Sequence, residues 1–168
     1  SGFNQKPKYI DGYSEAAVYT VSNNKSRTVL VDAWNNGYFT FFMRKHDPER
    51  KLFVLRGDKL FTSSAIEATT WLKIHANTEE DILGILNKNN VHLVVVEERD
   101  YTGVRIHKIF RNMLRGNNFR LRASIPIRSN LGRFSDQSLK IYEFTGSTNS
   151  KPGDLNMELP VIGKSILV

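Results

Sequence analysis

The chain has 168 residues, no cysteine, 24 Lys and Arg against 17 Asp and Glu, and a hydrophobic fraction of 40%. That length suits one domain with a sizeable core. The missing thiols exclude disulfides, thiolate metal sites and a cysteine nucleophile, and no apolar run approaches the roughly 18 residues that span a bilayer. The net charge of +7 permits anionic partners: nucleic acid, lipid headgroups or phosphorylated substrates.

Residues 1–12 are polar, include Pro7 and read as an extended lead-in. Ser14 is the expected N-cap of a short helix carrying Ala16, Ala17, Val18 and Val21, which should end near residues 22–24. Thr28 to Ala33 is β-branched and apolar, a strand, and Asn35-Asn36-Gly37 then supplies turn chemistry. Tyr38 to Lys45 has the length of about two helical turns; Tyr38, Phe41 and Phe42 lie at helical spacing, and such an aromatic stripe is expected in the core. Asp47-Pro48 stops this helix, because the residue before proline avoids the α region. Leu52 to Leu55 is a second strand, ending in Arg56, Gly57, Asp58 and Lys59. Strand, polar turn, helix, strand is the signature of a βαβ unit.

Residues 61–77 have no clean pattern, although Thr69 to Ile74 has the composition of an added strand. Thr78 and Asp81 form a capping-box pair for a helix with Ile82, Leu83, Ile85 and Leu86 on one face, closed by residues 87–90. Val91 to Val96 reads as a buried central strand, apolar on both faces apart from His92, which is expected to be hydrogen-bonded in the core or at its edge. An amphipathic helix from Val104 to Leu114 follows. From Phe119 the residues alternate with Arg120, Arg122 and Ser124, predicting a strand with one wet face, and Leu139 to Phe144 predicts another. The fold class is thus α/β, a Rossmann-like three-layer βαβ sheet with additional antiparallel C-terminal strands. Residues 1–145 form a single domain. Residues 146–168 begin with a Ser/Asn/Gly/Pro linker and continue as an extended tail or short strands.

Polar groups collect where the predicted strands end, the edge at which open α/β sheets keep ligands. Asp32, Asp58 and the Glu97-Glu98-Asp100 group all lie there, with Arg56 and Lys59 beside them. If the strands are parallel neighbours, these carboxylates converge and can bind a divalent metal or polarise a sugar hydroxyl; the commoner role of acids after strands is to cap loops and helices. A hydroxyl-rich or anionic ligand would meet Asp32, Asn35, Asn36, Gly37 and Glu97 on one side and Arg56, Asp58 and Lys59 on the other. The four histidines have no metal-ligand spacing, and GxSxG, P-loop and GxGxxG motifs are missing. A basic strip from Arg105 to Arg133, with Phe110 and Phe119, offers a surface for anionic headgroups or nucleic acid. No RNA- or DNA-binding motif accompanies it, so nucleic acid is the weaker option.

In order, Asn36-Gly37-Tyr38-Phe39, Asp47-Pro48, Val54 to Lys59, Val91 to Glu97 and Ile141-Tyr142-Glu143 resemble the soluble extracytoplasmic region of bacterial polytopic membrane glycosyltransferases. These are lipid-phosphate-sugar-dependent enzymes related to dolichyl-phosphate-mannose protein mannosyltransferases. The family pattern has G-x-F-x-F, DP…VLRxDK, GV-x-Y-V-V-V-E and VYE segments; here Asn90 replaces its Gly and Leu93 its Tyr. The resemblance covers most of residues 13–145 and implies membrane helices that precede this region in the natural protein. It implies an accessory domain on the periplasmic face, tethered to the membrane-embedded part of the same polypeptide, that helps recognise acceptor or lipid-linked sugar. The absence of cysteine is compatible with that location. The family's catalytic acidic motif lies in a loop between early membrane helices, and nothing here corresponds to it. No catalytic residue and no cofactor is therefore expected in this stretch, and a divalent metal would belong to the parent enzyme. Two other readings stand beside it: a self-contained α/β enzyme using a metal at Asp32, Asp58 and Glu97, and a basic module binding nucleic acid or an anionic membrane surface.

Overall fold

The computed structural model describes residues 7–65, 71–146, 156–159 and 164–167. A two-residue strand, β1 (Ile10–Asp11), leads into helix α1 (Tyr13–Asn23). Gly12 turns between them at φ 109°, and Glu15 Oε2 accepts its N–H at 3.1 Å. Gly12, not the expected Ser14, is the N-cap: only glycine enters that φ readily, and a Cβ there would meet Pro126 O at 2.7 Å. Ser14 Oγ instead meets His46 Nε2.

Strands β2 (Thr28–Asp32) and β3 (Phe53–Arg56) run parallel and are joined by α2 (Asn36–His46), the expected βαβ unit. Asp47 closes α2, and its carboxylate accepts the N–H groups of Lys51 and Leu52 at 3.1 and 2.7 Å, turning the chain into β3. A one-turn helix, α3 (Gly57–Leu60), precedes β4 (Thr62–Ala65) and β5 (Trp71–Ile74), which pair antiparallel as a separate ribbon. Positions 69 and 70 of the expected strand lie outside the described residues. Helix α4 (Glu79–Lys88) opens on the expected capping box: Thr78 Oγ1 accepts from Asp81 N–H, and Asp81 Oδ2 accepts from Thr78 N–H. Strand β6 (Val91–Glu97), helix α5 (Arg105–Met113), strands β7 (Phe119–Pro126) and β8 (Arg128–Ser129), a 3₁₀ turn at Gly132–Phe134 and β9 (Ser138–Phe144) follow. β8 pairs with β1. Most of the expected linker, positions 147–153, lies outside the described residues; beyond it β10 (Asn156–Leu159) and β11 (Lys164–Leu167) form an antiparallel hairpin.

The main sheet has the order β3-β2-β6-β9-β7, its first three strands parallel and its last two antiparallel. α1 and α2 cover one face through Ala16, Ala17, Phe39 and Met43; α4 and α5 cover the other through Ile82, Leu86, Ile106 and Phe110. The fold is therefore mixed α/β in three layers. β2 and β6 lie in the middle because they alone are apolar in both directions.

Two expectations are corrected. The aromatic stripe of α2 splits: Tyr38 and Phe41 face out, 50% and 64% exposed, while Phe42 packs partly buried against the core beside the buried Phe39 and Met43. Both sets sit at helical spacing, so periodicity alone does not choose between them. β7 is not a strand with one continuous wet face. A bulge between Leu121 and Ala123 shifts the register against β9, so Phe119 packs into the α4/α5 core while Ala123 and Ile125 pack toward α1 and α2.

Candidate strand-end site

The chain passes from β2 to β3 on one side and returns to β6 on the other, so the strand order reverses between β2 and β6. Asp32 and Glu97 end those strands, at the position where such sheets bind ligands. In register, Asp32 pairs with Val96. Glu97 is one residue further and projects from the opposite face, because successive strand residues alternate. The two carboxylates therefore serve different layers.

Asp32 faces α5 and is fully buried. Its Oδ2 accepts from Arg111 Nη1 at 2.7 Å and from His107 Nδ1 at 3.0 Å, and its Oδ1 accepts from Tyr101 Oη at 3.2 Å. An ionised carboxylate is only an acceptor, so His107 carries its proton on Nδ1. Burial alone would raise the Asp32 pKa, but the His107 hydrogen bond and the Arg111 charge outweigh it and hold the carboxyl below its ordinary value. Arg111 also donates Nη2 to the carbonyl oxygens of Asp32 and Glu97, each at 3.2 Å, stapling the ends of β2 and β6 together. Burial and the Asp32 charge push the Tyr101 phenol above its usual range. His107 Nε2 is buried without a hydrogen-bond partner among the described residues, and the ring lies against Phe61 with centroids 5.7 Å apart.

Glu97 faces α1. Its Oε2 accepts Trp34 N–H at 2.9 Å and Tyr13 Oη–H at 3.4 Å, which fixes the turn after β2. Burial raises its pKa, only partly countered by the Trp34 N–H and the Arg111 charge. Glu98 pairs with Lys140 at 2.7 Å, and Asp100 caps Thr102 at 2.9 Å, so the expected Glu97-Glu98-Asp100 cluster is dispersed. Glu97, Glu98 and Asp100 thus do not converge on Asp32, whereas the charges of Asp32 and Asp58 both act on Tyr101. Among the described residues no group of three or more His, Asp or Glu side chains forms a cation site.

Gly57 sits directly over Asp32: a Cβ there would meet Asp32 Oδ1 at 2.7 Å. Arg56 is exposed and grips Asp58 through both carboxylate oxygens, at 3.0 and 2.7 Å, while Lys59 is exposed beside them. Asn35 caps α2 through its carbonyl, which accepts from Tyr38 N–H and Phe39 N–H; Asn36 is buried, and Gly37 lies on the exposed side of the helix.

Beside the ion-paired Glu98 and Asp58, the open side of the edge carries an aromatic ring and cations. Trp34 is 48% exposed. It packs edge-on to Tyr101 at 5.7 Å, and the Arg133 guanidinium lies over it at 4.6 Å. The sequence pattern did not single out Trp34, Tyr101, His107 or Arg111 for this site. The i, i+4 spacing of His107 and Arg111 on one amphipathic helix is the signal that predicts their shared orientation. The basic strip also resolves into separate tasks: Arg111 turns inward, Arg122 lies 3.5 Å from Glu143, Arg128 pairs with Glu15, and Arg133 stacks on Trp34. His92 is hydrogen-bonded as expected, accepting Lys25 N–H on Nδ1 and facing Glu143 through Nε2. A shallow groove lined by Val18, Tyr19, Ala123 and Ile125 lies against β7, three strands from β2, and includes none of these residues.

No protein-family model matches the chain, and no curated protein or solved structure matches it significantly.

Proposed function

We propose that this chain is a non-catalytic α/β domain of a membrane glycosyltransferase that uses a lipid-phosphate-sugar donor. It lies on the extracytoplasmic face and helps recognise the donor headgroup or the acceptor. The observation that carries this reading is the state of the strand-end carboxylates. Asp32 already accepts from three donors, and Glu97 is turned to the other face of the sheet to hold the Trp34 turn. Neither is free to attack, to shuttle a proton or to ligate a metal in concert with the other. Facing solvent at this edge are an indole, Trp34, and the cations Lys59 and Arg133, with Arg56 held by Asp58 and the exposed Glu98 paired to Lys140. An aromatic face offers contact to the apolar face of a sugar ring, and cations suit a phosphodiester.

The resemblance adds support through the positions its segments occupy. They fall at the start of α2, at its stop, along β3 into α3, along β6 and within β9, all in the main sheet or its connections. Where the family pattern has glycine, Asn90 adopts φ 49°, a left-handed conformation that asparagine tolerates better than most residues.

The test is a titration of this chain with a short-chain prenyl-phosphate hexose, followed by Trp34 fluorescence and amide shifts. Saturable binding that is weakened in Trp34→Ala and Lys59→Ala supports the reading. No binding, or binding unaffected by both substitutions, contradicts it.

A further inference from the structure

We infer that the outward face of α2 rests on an anionic lipid bilayer. Tyr38 and Phe41 lie three residues apart on the outward side of α2, 50% and 64% exposed, and Trp34, in the turn before the helix, is 48% exposed. Lys45 continues the row and Arg44 flanks it, both exposed. Two large aromatics on one exposed helix face, with a third in the turn that leads into it, are too contiguous to be scattered surface apolarity. It is also not a spare core face, because α2 already buries Phe39 and Met43 against the sheet.

Charge decides the occupant. α2 contains no acidic residue and ends in Arg44, Lys45 and His46. The nearest acids beyond it are unavailable: Asp47 is turned inward onto the Lys51 and Leu52 amides, and Glu49 is held by Lys51 at 2.6 Å. Arg133 adds a further cation over Trp34. Arg44, Lys45 and Arg133 form no ion pair among the described residues. Aromatic rings at the depth of the headgroups with Lys and Arg beside them are the chemistry of an interfacial helix on an anionic leaflet. This surface shares Trp34 and Arg133 with the sugar-phosphate edge, but Tyr38, Phe41 and Lys45 on α2 carry it, and it does not rest on that reading.

The experiment is co-sedimentation of the chain with vesicles of phosphatidylcholine alone and of phosphatidylcholine with phosphatidylglycerol in equal parts. The chain is expected to pellet with the anionic vesicles, much less with the neutral ones, and less as salt is raised. Phe41→Ser combined with Tyr38→Ser should weaken binding by about tenfold or more, since withdrawing a large apolar side chain from a bilayer interface removes at least one such factor. Lys45→Glu should weaken it and reduce its salt dependence. Leu121→Ser, which removes a residue of similar exposure on β7, should leave it unchanged. All these side chains are exposed, and an unchanged melting temperature shows that the variants fold. Sedimentation of the Tyr38/Phe41 variant equal to that of the unsubstituted chain overturns the inference. So does equal binding to both vesicle types. A dimer in solution that the same double substitution dissolves overturns it too, assigning the face to a second copy. Failure of vesicle binding while the prenyl-phosphate hexose still binds would sink this inference alone.

Discussion

At the scale of single residues, Asp32 decides what the strand-end edge is. A buried carboxylate with three donors is an internal knot, and removing one member leaves the others charged or polar in a dry environment. Asp32→Ala should cost about 3–5 kcal/mol, because it strands Arg111 and His107, and urea unfolding at neutral pH measures it. Gly57 is part of the same knot. Gly57→Ala forces a methyl against Asp32 Oδ1, which its three partners hold in place, and should cost about 1–3 kcal/mol by overpacking. Gly37 has nothing within 4 Å of its Cβ position and lies inside α2, so Gly37→Ala should stabilise by about 0.5–1 kcal/mol. The two carboxylates also carry opposite pH signatures. The folded pKa of Asp32 is lowered; its contribution is complete above the unfolded value of about 3.9 and disappears as pH falls through the folded value. The penalty of Asp32→Asn should therefore shrink with acidification in that range. The folded pKa of Glu97 is raised, so its ionisation costs stability as pH rises past about 4.3. Glu97→Gln should then gain on the unsubstituted chain as pH rises toward neutrality, and stability curves of both variants across this range check the two signs.

At the scale of elements, the sequence was legible where one local pattern admits one structure. β2 and β6 announce themselves as apolar runs, broken in β6 only by His92, Asp47-Pro48 stops α2, and Thr78 with Asp81 starts α4. It was illegible where two local solutions are equivalent. α2 has apolar residues on both sides, Tyr38 and Phe41 against Phe39 and Met43, and only docking on the sheet chooses. The bulge in β7 leaves the alternation of Phe119, Leu121 and Ala123 intact on paper while inverting the face of the last. The donors to Asp32 were hidden for another reason: His107 and Arg111 lie 75 and 79 positions further along the chain, and no local window contains both ends of such a bond. The turn from α4 into β6 offers a test at this scale. Asn90 stands at φ 49°, so Asn90→Val should cost about 1–2 kcal/mol, whereas Asn90→Gly should be close to neutral. Equal losses for both would show that the asparagine side chain, rather than the backbone conformation, is what the turn needs.

At the scale of the molecule, a three-layer sheet brings the ends of β2, β3 and β6 to one edge and spends the acids there on holding it together. Arg111 ties two strand ends, Glu97 fixes the turn that carries Trp34, and Asp32 anchors α5. What this edge presents outward includes an indole and several cations, which under the proposed function would receive an anion attached to a flat, partly apolar group. The decisive measurement is an amide-shift titration of the chain with a short-chain prenyl-phosphate hexose, run in parallel with magnesium alone. The account predicts saturable shifts at Trp34, Lys59 and Arg133, with Asp32 and Glu97 unmoved and no response to magnesium. Shifts at Asp32 and Glu97 driven by the metal would contradict it and make this edge a metal centre.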